Sequence, residues 1–512
     1  MDNKSYKREL TIIIIISAIA GLIAQYISFT DEYIFAYRDS IYRLDASRRF
    51  LDAMNPGLFN QIGTVWLPLP NFLMFPFASV DFLWKTGLAG SIVNFVLYIF
   101  NAIAIFLTLK LLTENKIAQY AGTIFFILNP NILYFQTTPM SEQIYLTFIS
   151  LAIYYLVKWN ITKSNKDIIW AGVHTALASC TRYDGWTFAA AAVVLVFLIS
   201  IKNKNGIIKF SFYYFFPTAV VIIWWMVHNY IYYSDPLEFM RGQFSTYFQL
   251  KYYEEAGRLL TKHNAFLSLK VYYFDLYLYT GWLVLSLSLL GFIYYAIKNK
   301  FRVNSFLLYL SLIAVPSTLL FLYLGQVIIE IPQSEPAGYF NSRYGLYAIP
   351  GLVIFAGIFT GVVYEKFREK KNLLIAAGVI LVFLQIFSYI YYYPSKVPAV
   401  AEGRYAGYKG TVTYNLAKYL EKNYDGGNLL YDFRVFAVPP WSGVYLRNRI
   451  TYHTYEIGEK ALLNPVPYAK WVMFYLRSPD DKIYNALNKN ENFRNNYDLV
   501  FSEEGLELYK LK

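Results

Sequence analysis

Apolar runs of about 20 residues recur along the chain from near residue 9 to near residue 393, separated by short polar stretches. As helices rising 1.5 Å per residue, they are long enough to cross a hydrocarbon core of about 30 Å. The runs fall at approximately 9–29, 90–110, 117–135, 142–158, 168–182, 184–201, 210–232, 272–296, 303–325, 344–364 and 373–393, which predicts about eleven spans. The first follows a charged start, MDNKSYKREL, as a secretory signal does. It runs through Phe29 with no small-residue cleavage site and other spans follow, so it reads as a retained first helix. The apolar stretch between Gly63 and Gly87 contains Pro68, Pro70 and Pro76, which argue against an ordinary helix. It reads as a re-entrant or interfacial segment.

After about residue 394 the pattern changes. TVTYNLAKYLEKN has helical spacing, NLLYDF is strand-like, residues 467–489 again look helical, and YDLVFSEEGLELYKL reads as a β-hairpin around Glu504-Gly505. The expected fold class is therefore mainly α. It is a polytopic membrane domain over 1–395, followed by a small soluble α/β domain over 396–512 that is long enough to bury a core of its own. Within the first outer loop, 30–89, the residues Ile41, Leu44, Leu51 and Met54 repeat at helical spacing and leave Asp45, Arg48, Arg49 and Asp52 on other faces. That spacing suits an interfacial helix with Arg48 and Arg49 at lipid head groups.

Composition supports a membrane protein: 56% of the 512 residues are hydrophobic and 16% charged, against about 25% charged in soluble domains. Charge gives the orientation. With a cytoplasmic N-terminus, the inner segments (the N-terminal tail, LKLLTENK, KWNITKSNKD, IKNKNGIIK, IKNKFR and EKFREKK) hold 18 Lys and Arg against six Asp and Glu, which is the whole net charge of +12. The other side balances at 28 of each sign, as the bias of Lys and Arg toward the cytoplasm requires. The basic character thus reports topology, and a nucleic-acid partner is not implied. The C-terminal domain is expected outside the cytoplasm. A single cysteine, Cys180, excludes an internal disulfide, and four histidines without HExxH or CxxC point to no local zinc motif.

Charges near the spans cluster at their outer ends. Asp39 lies in the first outer loop, Glu142 starts the fourth span, Arg182 and Asp184 occupy the tight turn TRYDGW, and Arg343 with Tyr344 opens the tenth span in FNSRYGLYAIPGL. An ion at the bilayer centre costs about 2.5–3.5 kcal/mol even on the lenient insertion scale, so this placement at one face is informative. Each residue also has a purely structural reading: Asp39 or Glu142 as a helix cap, Arg182 and Asp184 as a pair across a turn, Arg343 as a snorkelling side chain. His174 and His228 read as packing residues.

The series YRDSIYRLDASRRFLDAMNPGLFNQIGTVWLPLPN, NPNILYFQTTPMSEQIYL, TRYDGW, SDPLEFMRGQFS and FNSRYGLYAIP resembles, in order and spacing over roughly residues 9–395, prokaryotic GT-C-fold glycosyltransferases of the ArnT and protein O-mannosyltransferase-like superfamily. The resemblance implies transfer of a sugar from a polyprenyl (dolichyl or undecaprenyl) phosphate to a lipid, glycan or protein acceptor at the outer face. It implies a catalytic acid in the first outer loop, placed on Asp39, and a second at an outer helix start, placed on Glu142. A second register puts the loop acid on Asp31-Glu32; Asp39 is preferred because DSIYRLDASRR leads into NPG and WLPLP at the expected distances. Where such relatives often carry His, this chain has Arg43 and Asn71. Arg241 of MRGQF also has a family match, and the oligosaccharyltransferase signature WWDYG is missing.

Displacement of a polyprenyl phosphate wants a carboxylate to take the acceptor's proton and cations to hold the phosphate. Asp39 is the expected base and Glu142 its partner. Arg182 and Arg343 are expected on the phosphate, with Asp184, Tyr344 and Arg241 lining the substrate site, and in-line attack would invert the anomeric centre. No cofactor is required, although a divalent ion shared by Asp39 and Glu142 is compatible with the residues. The rival class is a transporter or lipid-linked sugar flippase, which places its ionisable site near the bilayer midplane.

Overall fold

The computed structural model of the chain describes every residue except 1–2, 205, 301, 392–396, 406–408, 435, 452–454, 477 and 479. The chain divides into two compact units, and neither is one continuous stretch. The first comprises Met1–Asp31, Gly63–Pro70 and Ile92–Tyr405; the second comprises Glu32–Ile62, Asn71–Ser91 and Ala406–Lys512.

The first unit is helical. Among the described residues eight helices are long and apolar enough to cross a membrane, and Val303–Leu312 with Ala314–Tyr323, bent by 60°, makes a ninth if counted as one span. Two of the eleven expected runs fall short for local reasons. The 117–135 run is divided at Asn129-Pro130, where the Asn129 side chain accepts hydrogen bonds from the N–H groups of Asn131 and Ile132 and starts a new short helix, Pro130–Phe135. The 168–182 run forms Asn165–Ser179, a helix of 15 residues. The first helix, Asn3–Thr30, is tied to this unit at both ends: Glu9 pairs with Lys110 and Lys116, and Gln25 donates to the Gln136 side chain at 3.0 Å.

The helix Ala265–Asn299 is broken at Gly281, whose φ of 75° and ψ of 161° suit a residue without a Cβ. A break inside an apolar helix frees backbone groups that lipid cannot satisfy, so side chains have to. Gln385, on the helix Lys371–Tyr391, donates to the Thr280 carbonyl at 3.2 Å and accepts from the Leu283 N–H at 3.0 Å. Asn129 and Asn131 donate to the Tyr279 carbonyl at 2.8 and 3.2 Å. Beyond the break, the Phe355 carbonyl of Ile349–Lys366 approaches Gly291 so closely that a Cβ there would lie 2.0 Å from it, the kind of contact small residues allow between helices.

The second unit holds a five-stranded sheet of β1 (Leu429–Leu430), β2 (Arg449–Ile450), β3 (Trp471–Tyr475), β4 (Tyr497–Glu503) and β5 (Leu506–Leu511), in the order β2-β1-β3-β5-β4. β1 runs parallel to β2 and β3, while β5 is antiparallel to β3 and β4. The expected helix Val412–Asn423 and the hairpin at Glu504-Gly505 are present, the latter with φ of 45° and 86° at its two turn residues, as a tight hairpin turn requires. The helical expectation over 467–489 is corrected. Its first part is the central strand β3, buried from Trp471 to Phe474, and an apolar run buried on both faces loses the alternation that marks a strand. Among the described residues of this range only Lys482–Leu487 is helical.

The first outer loop also departs from expectation. The helix Arg38–Asp52 does not present a charged face to solvent: ten of its residues are buried, Asp45, Arg48 and Asp52 among them. Ile34, Phe35, Ile41, Leu44 and Trp84 share one core with Ala417 and Ala437. Arg48 is 4% exposed, donates to the Ala78 and Ser79 carbonyls at 2.8 Å each, and pairs with Asp52 and Asp81. Asp45 accepts from Arg449 at 2.6 Å and from the Trp84 indole at 3.1 Å, and Asp52 from Arg447 at 2.9 Å. Burial pushes the Asp45 carboxyl up, against the pull of Arg449. Arg48 is thus an internal ion-pair partner rather than a head-group contact. The expected interfacial helix is instead the joint between the loop and the C-terminal segment.

Candidate active site

Glu142, Arg182, Asp184, Arg343 and Tyr344 come from different parts of the first unit, the last two from one segment, and the structure brings the four charged groups together. Glu142 is the first residue of the helix Glu142–Thr162 and is wholly buried. Arg182 sits in the turn between Asn165–Ser179 and Asp184–Lys202. Its Nη1 donates to Glu142 Oε1 at 3.2 Å and its Nε to Asp184 Oδ2 at 3.0 Å. Arg343 lies in the 3-10 segment Ser342–Ala348, and its Nε is 3.7 Å from the same Glu142 oxygen. The Arg182 guanidinium stands 4.8 Å from the Tyr347 ring centroid, and Tyr347 packs edge-on to Tyr145 and Tyr344.

Arg182 and Asp184 do pair across their turn, but Arg182 has a second partner in Glu142. Glu142 caps nothing: one oxygen takes both arginines, and Oε2 accepts no hydrogen bond from a described residue. The Arg343 side chain is 17% exposed and aims inward instead of snorkelling. Burial works against the charge of Arg182, yet Tyr347, Asp184 and Glu142 hold it above the ordinary arginine value. Two arginines thus offset two carboxylates. The carboxylate they share is wholly buried, while Arg182, Arg343 and Asp184 keep 14, 17 and 23% of their side chains exposed.

The stretch Gly63–Pro70, which contains the whole WLPLP motif, is stitched onto this turn. Leu69 N–H donates to the Cys180 carbonyl at 3.1 Å, and the Tyr183 hydroxyl donates to the Val65 carbonyl at 3.0 Å. Thr64 bonds Asn229, and the His228 ring nitrogen lies 3.0 Å from the Gly63 carbonyl. His174 is packed among Phe148, Tyr155 and Trp170. His228 also stacks on the Trp225 ring.

Arg241 is not part of the cluster: it ends the short helix Glu238–Arg241, exposed, with no ion pair to a described residue. Asp39 belongs to the second unit, where it lies half-buried in the first turn of Arg38–Asp52; the cap position is Tyr37. Glu32, the alternative acid, is also in the second unit and is held there by Tyr414 and Lys418. Among the described residues no group of three or more His, Cys, Asp or Glu is placed to hold a metal ion.

Two buried acids escaped the sequence reading. Asp275 is wholly buried and lies against Gly345, where a Cβ would be 3.0 Å from its Oδ2. Glu402, on the helix Pro398–Tyr405, is 4% exposed and bonds Asn341 and Ser342. No spacing in the sequence marks either. Asp275 is a lone acid near the start of an apolar run, and Glu402 lies beyond the last run, in residues assigned to the soluble domain.

The model of the dolichyl-phosphate-mannose-protein mannosyltransferase family matches residues 70–231, the segment that carries Glu142, Arg182 and Asp184. Among solved structures, ArnT from Cupriavidus metallidurans bound to undecaprenyl phosphate is similar with a TM-score of 0.58 at 11% identity, covering 97% of each chain. The oligosaccharyltransferase of Archaeoglobus fulgidus in its apo form is similar with a TM-score of 0.53 at 10% identity, covering 98% of this chain and 74% of that one. No curated protein matches the sequence. The family model thus matches the segment that carries most of the charged cluster, and along nearly its whole length the chain shares the GT-C fold of these two structures.

Proposed function

We propose that the chain transfers a sugar from a polyprenyl phosphate to a lipid, glycan or protein acceptor at the outer face of the membrane, with inversion at the anomeric carbon. The observation that carries this reading is the pair of arginines converging on one buried carboxylate: Arg182 at 3.2 Å and Arg343 at 3.7 Å from Glu142 Oε1. Held from behind by Glu142 and flanked by Asp184, the two guanidiniums form a preorganised anion receptor, and arginine suits phosphate because its planar fork bonds two oxygens at once. The bond from the anomeric carbon to the phosphate oxygen breaks as the acceptor oxygen attacks. The charge gained by the leaving phosphate falls on Arg182 and Arg343, where fixed cations are most effective. The proton of the acceptor hydroxyl goes to a carboxylate, proposed on Asp39 from its motif. Glu142 then orients arginines and does not touch the substrate. The undecaprenyl phosphate bound to the similar ArnT supports a carrier of this class. In this reading the N-terminus lies in the cytoplasm and the C-terminal segment outside, which the excess of Lys and Arg in the inner loops supports.

The test is release of sugar from a panel of polyprenyl-phosphate sugars by the protein in lipid, with a membrane extract as acceptor. Arg182→Ala and Asp39→Asn should each lower turnover by about 10²-fold or more. Turnover by both variants at the wild-type rate would sink the assignment.

A further inference from the structure

Arg343 reaches Glu142 only if the backbone before it makes a sharp turn, and that turn is held by one buried acid. Asn341 takes the left-handed conformation, with φ of 53°. Glu402 Oε1 accepts its N–H at 3.1 Å, while Oε2 accepts the Ser342 N–H at 2.9 Å and the Ser342 hydroxyl at 2.6 Å. These are N–H groups at the start of a helical segment, which have no partner within the segment, and a carboxylate there is favoured by the dipole as well. The Asn341 side chain then accepts from Arg343 Nη2 at 3.3 Å. Glu402 is itself anchored, because Ala399 N–H in its helix donates to Asn131 Oδ1 at 3.1 Å. Burial pushes the Glu402 carboxyl up, while Arg343 and Ser342 favour its charged form.

We infer that Glu402 is a positioning residue: by capping Asn341 and Ser342 it sets the turn that delivers Arg343 to Glu142. The inference deepens the proposed function, since it takes Arg343 as a phosphate ligand. It also gives a role in the site to the helix Pro398–Tyr405, the last element of the first unit before the chain passes into the second.

The experiment pairs amide hydrogen exchange with turnover, on the full-length protein in lipid. Glu402→Ala should speed exchange at Asn341 and Ser342 by about tenfold or more, since each loses its acceptor. Turnover should fall about tenfold, and Glu402→Ala combined with Arg343→Ala should be no slower than Arg343→Ala alone, because both remove one contribution. Glu402→Gln keeps the shape and one carbonyl acceptor. It should recover part of both the protection and the turnover, and it serves as the test variant if the alanine variant does not fold. Unchanged exchange, or losses that multiply in the double variant, would overturn the inference. If exchange rises while Arg343→Ala turns over like the wild type, the turn is held as inferred and the role given to Arg343 in the proposed function is the part that fails.

Discussion

Arg48 and Arg182 each grip two carboxylates, yet they differ in what they leave open. Arg48 is closed in by Asp52, Asp81 and two backbone carbonyls, with 4% exposure, so its hydrogen-bonding capacity is spent on structure. Arg182 retains 14% exposure and stands beside Arg343, so two cations share one face. Arg48→Met should therefore destabilise the protein by about 3 kcal/mol, because it leaves Asp52 buried with one cation fewer. Denaturant unfolding in neutral and in anionic lipid should show the same loss. A loss confined to anionic lipid would instead restore the head-group role that helical spacing suggests. Glu142, Arg182, Asp184 and Arg343 were legible as candidates because ions at the ends of apolar runs are costly and rare. Glu402 was not, because an acid in a polar stretch gives no such signal until the fold buries it.

Elements were legible where one force decides them. Long apolar runs became long helices because lipid leaves the backbone no other way to pair its groups. The exceptions lie where a second force intervenes: the Asn129-Pro130 cap cuts one run in two, and the burial of β3 on both faces erases its alternation. The broken helix at Gly281 is a third case, and its repair yields a prediction. Gln385→Leu leaves the Thr280 carbonyl and the Leu283 N–H without their side-chain partner in an apolar setting, at a cost of about 1–3 kcal/mol for each group. The unfolding midpoint of the variant should drop, and cross-linking between Ala265–Asn299 and Lys371–Tyr391 should weaken. The latter helix is largely exposed, with Tyr389 as its buried residue. Wild-type stability in Gln385→Leu would mean that the freed groups are satisfied in another way.

At the scale of the whole molecule, loop charge predicts the proposed orientation. In a background with Cys180 replaced by Ala, Lys298→Cys and Glu491→Cys both place a thiol at an exposed position. An impermeant maleimide should label the Glu491 site in intact cells and the Lys298 site only after the membrane is opened, and the reverse pattern would invert the topology. The sequence by itself determined that this is a polytopic helical protein, and the charge of its loops carries the proposed orientation. Hydropathy and the exclusion of ions from lipid act on each segment separately, so a linear reading captures them. Only the tertiary structure decided that Glu142 holds two arginines, that Glu402 sets the turn before Arg343, and that residues 32–62 and 71–91 fold with the C-terminal segment into one unit. Those outcomes depend on buried charges finding partners 40 residues away, as Glu142 and Arg182 do, or 404, as Asp45 and Arg449 do, and nothing in local spacing encodes which partner the packing will supply.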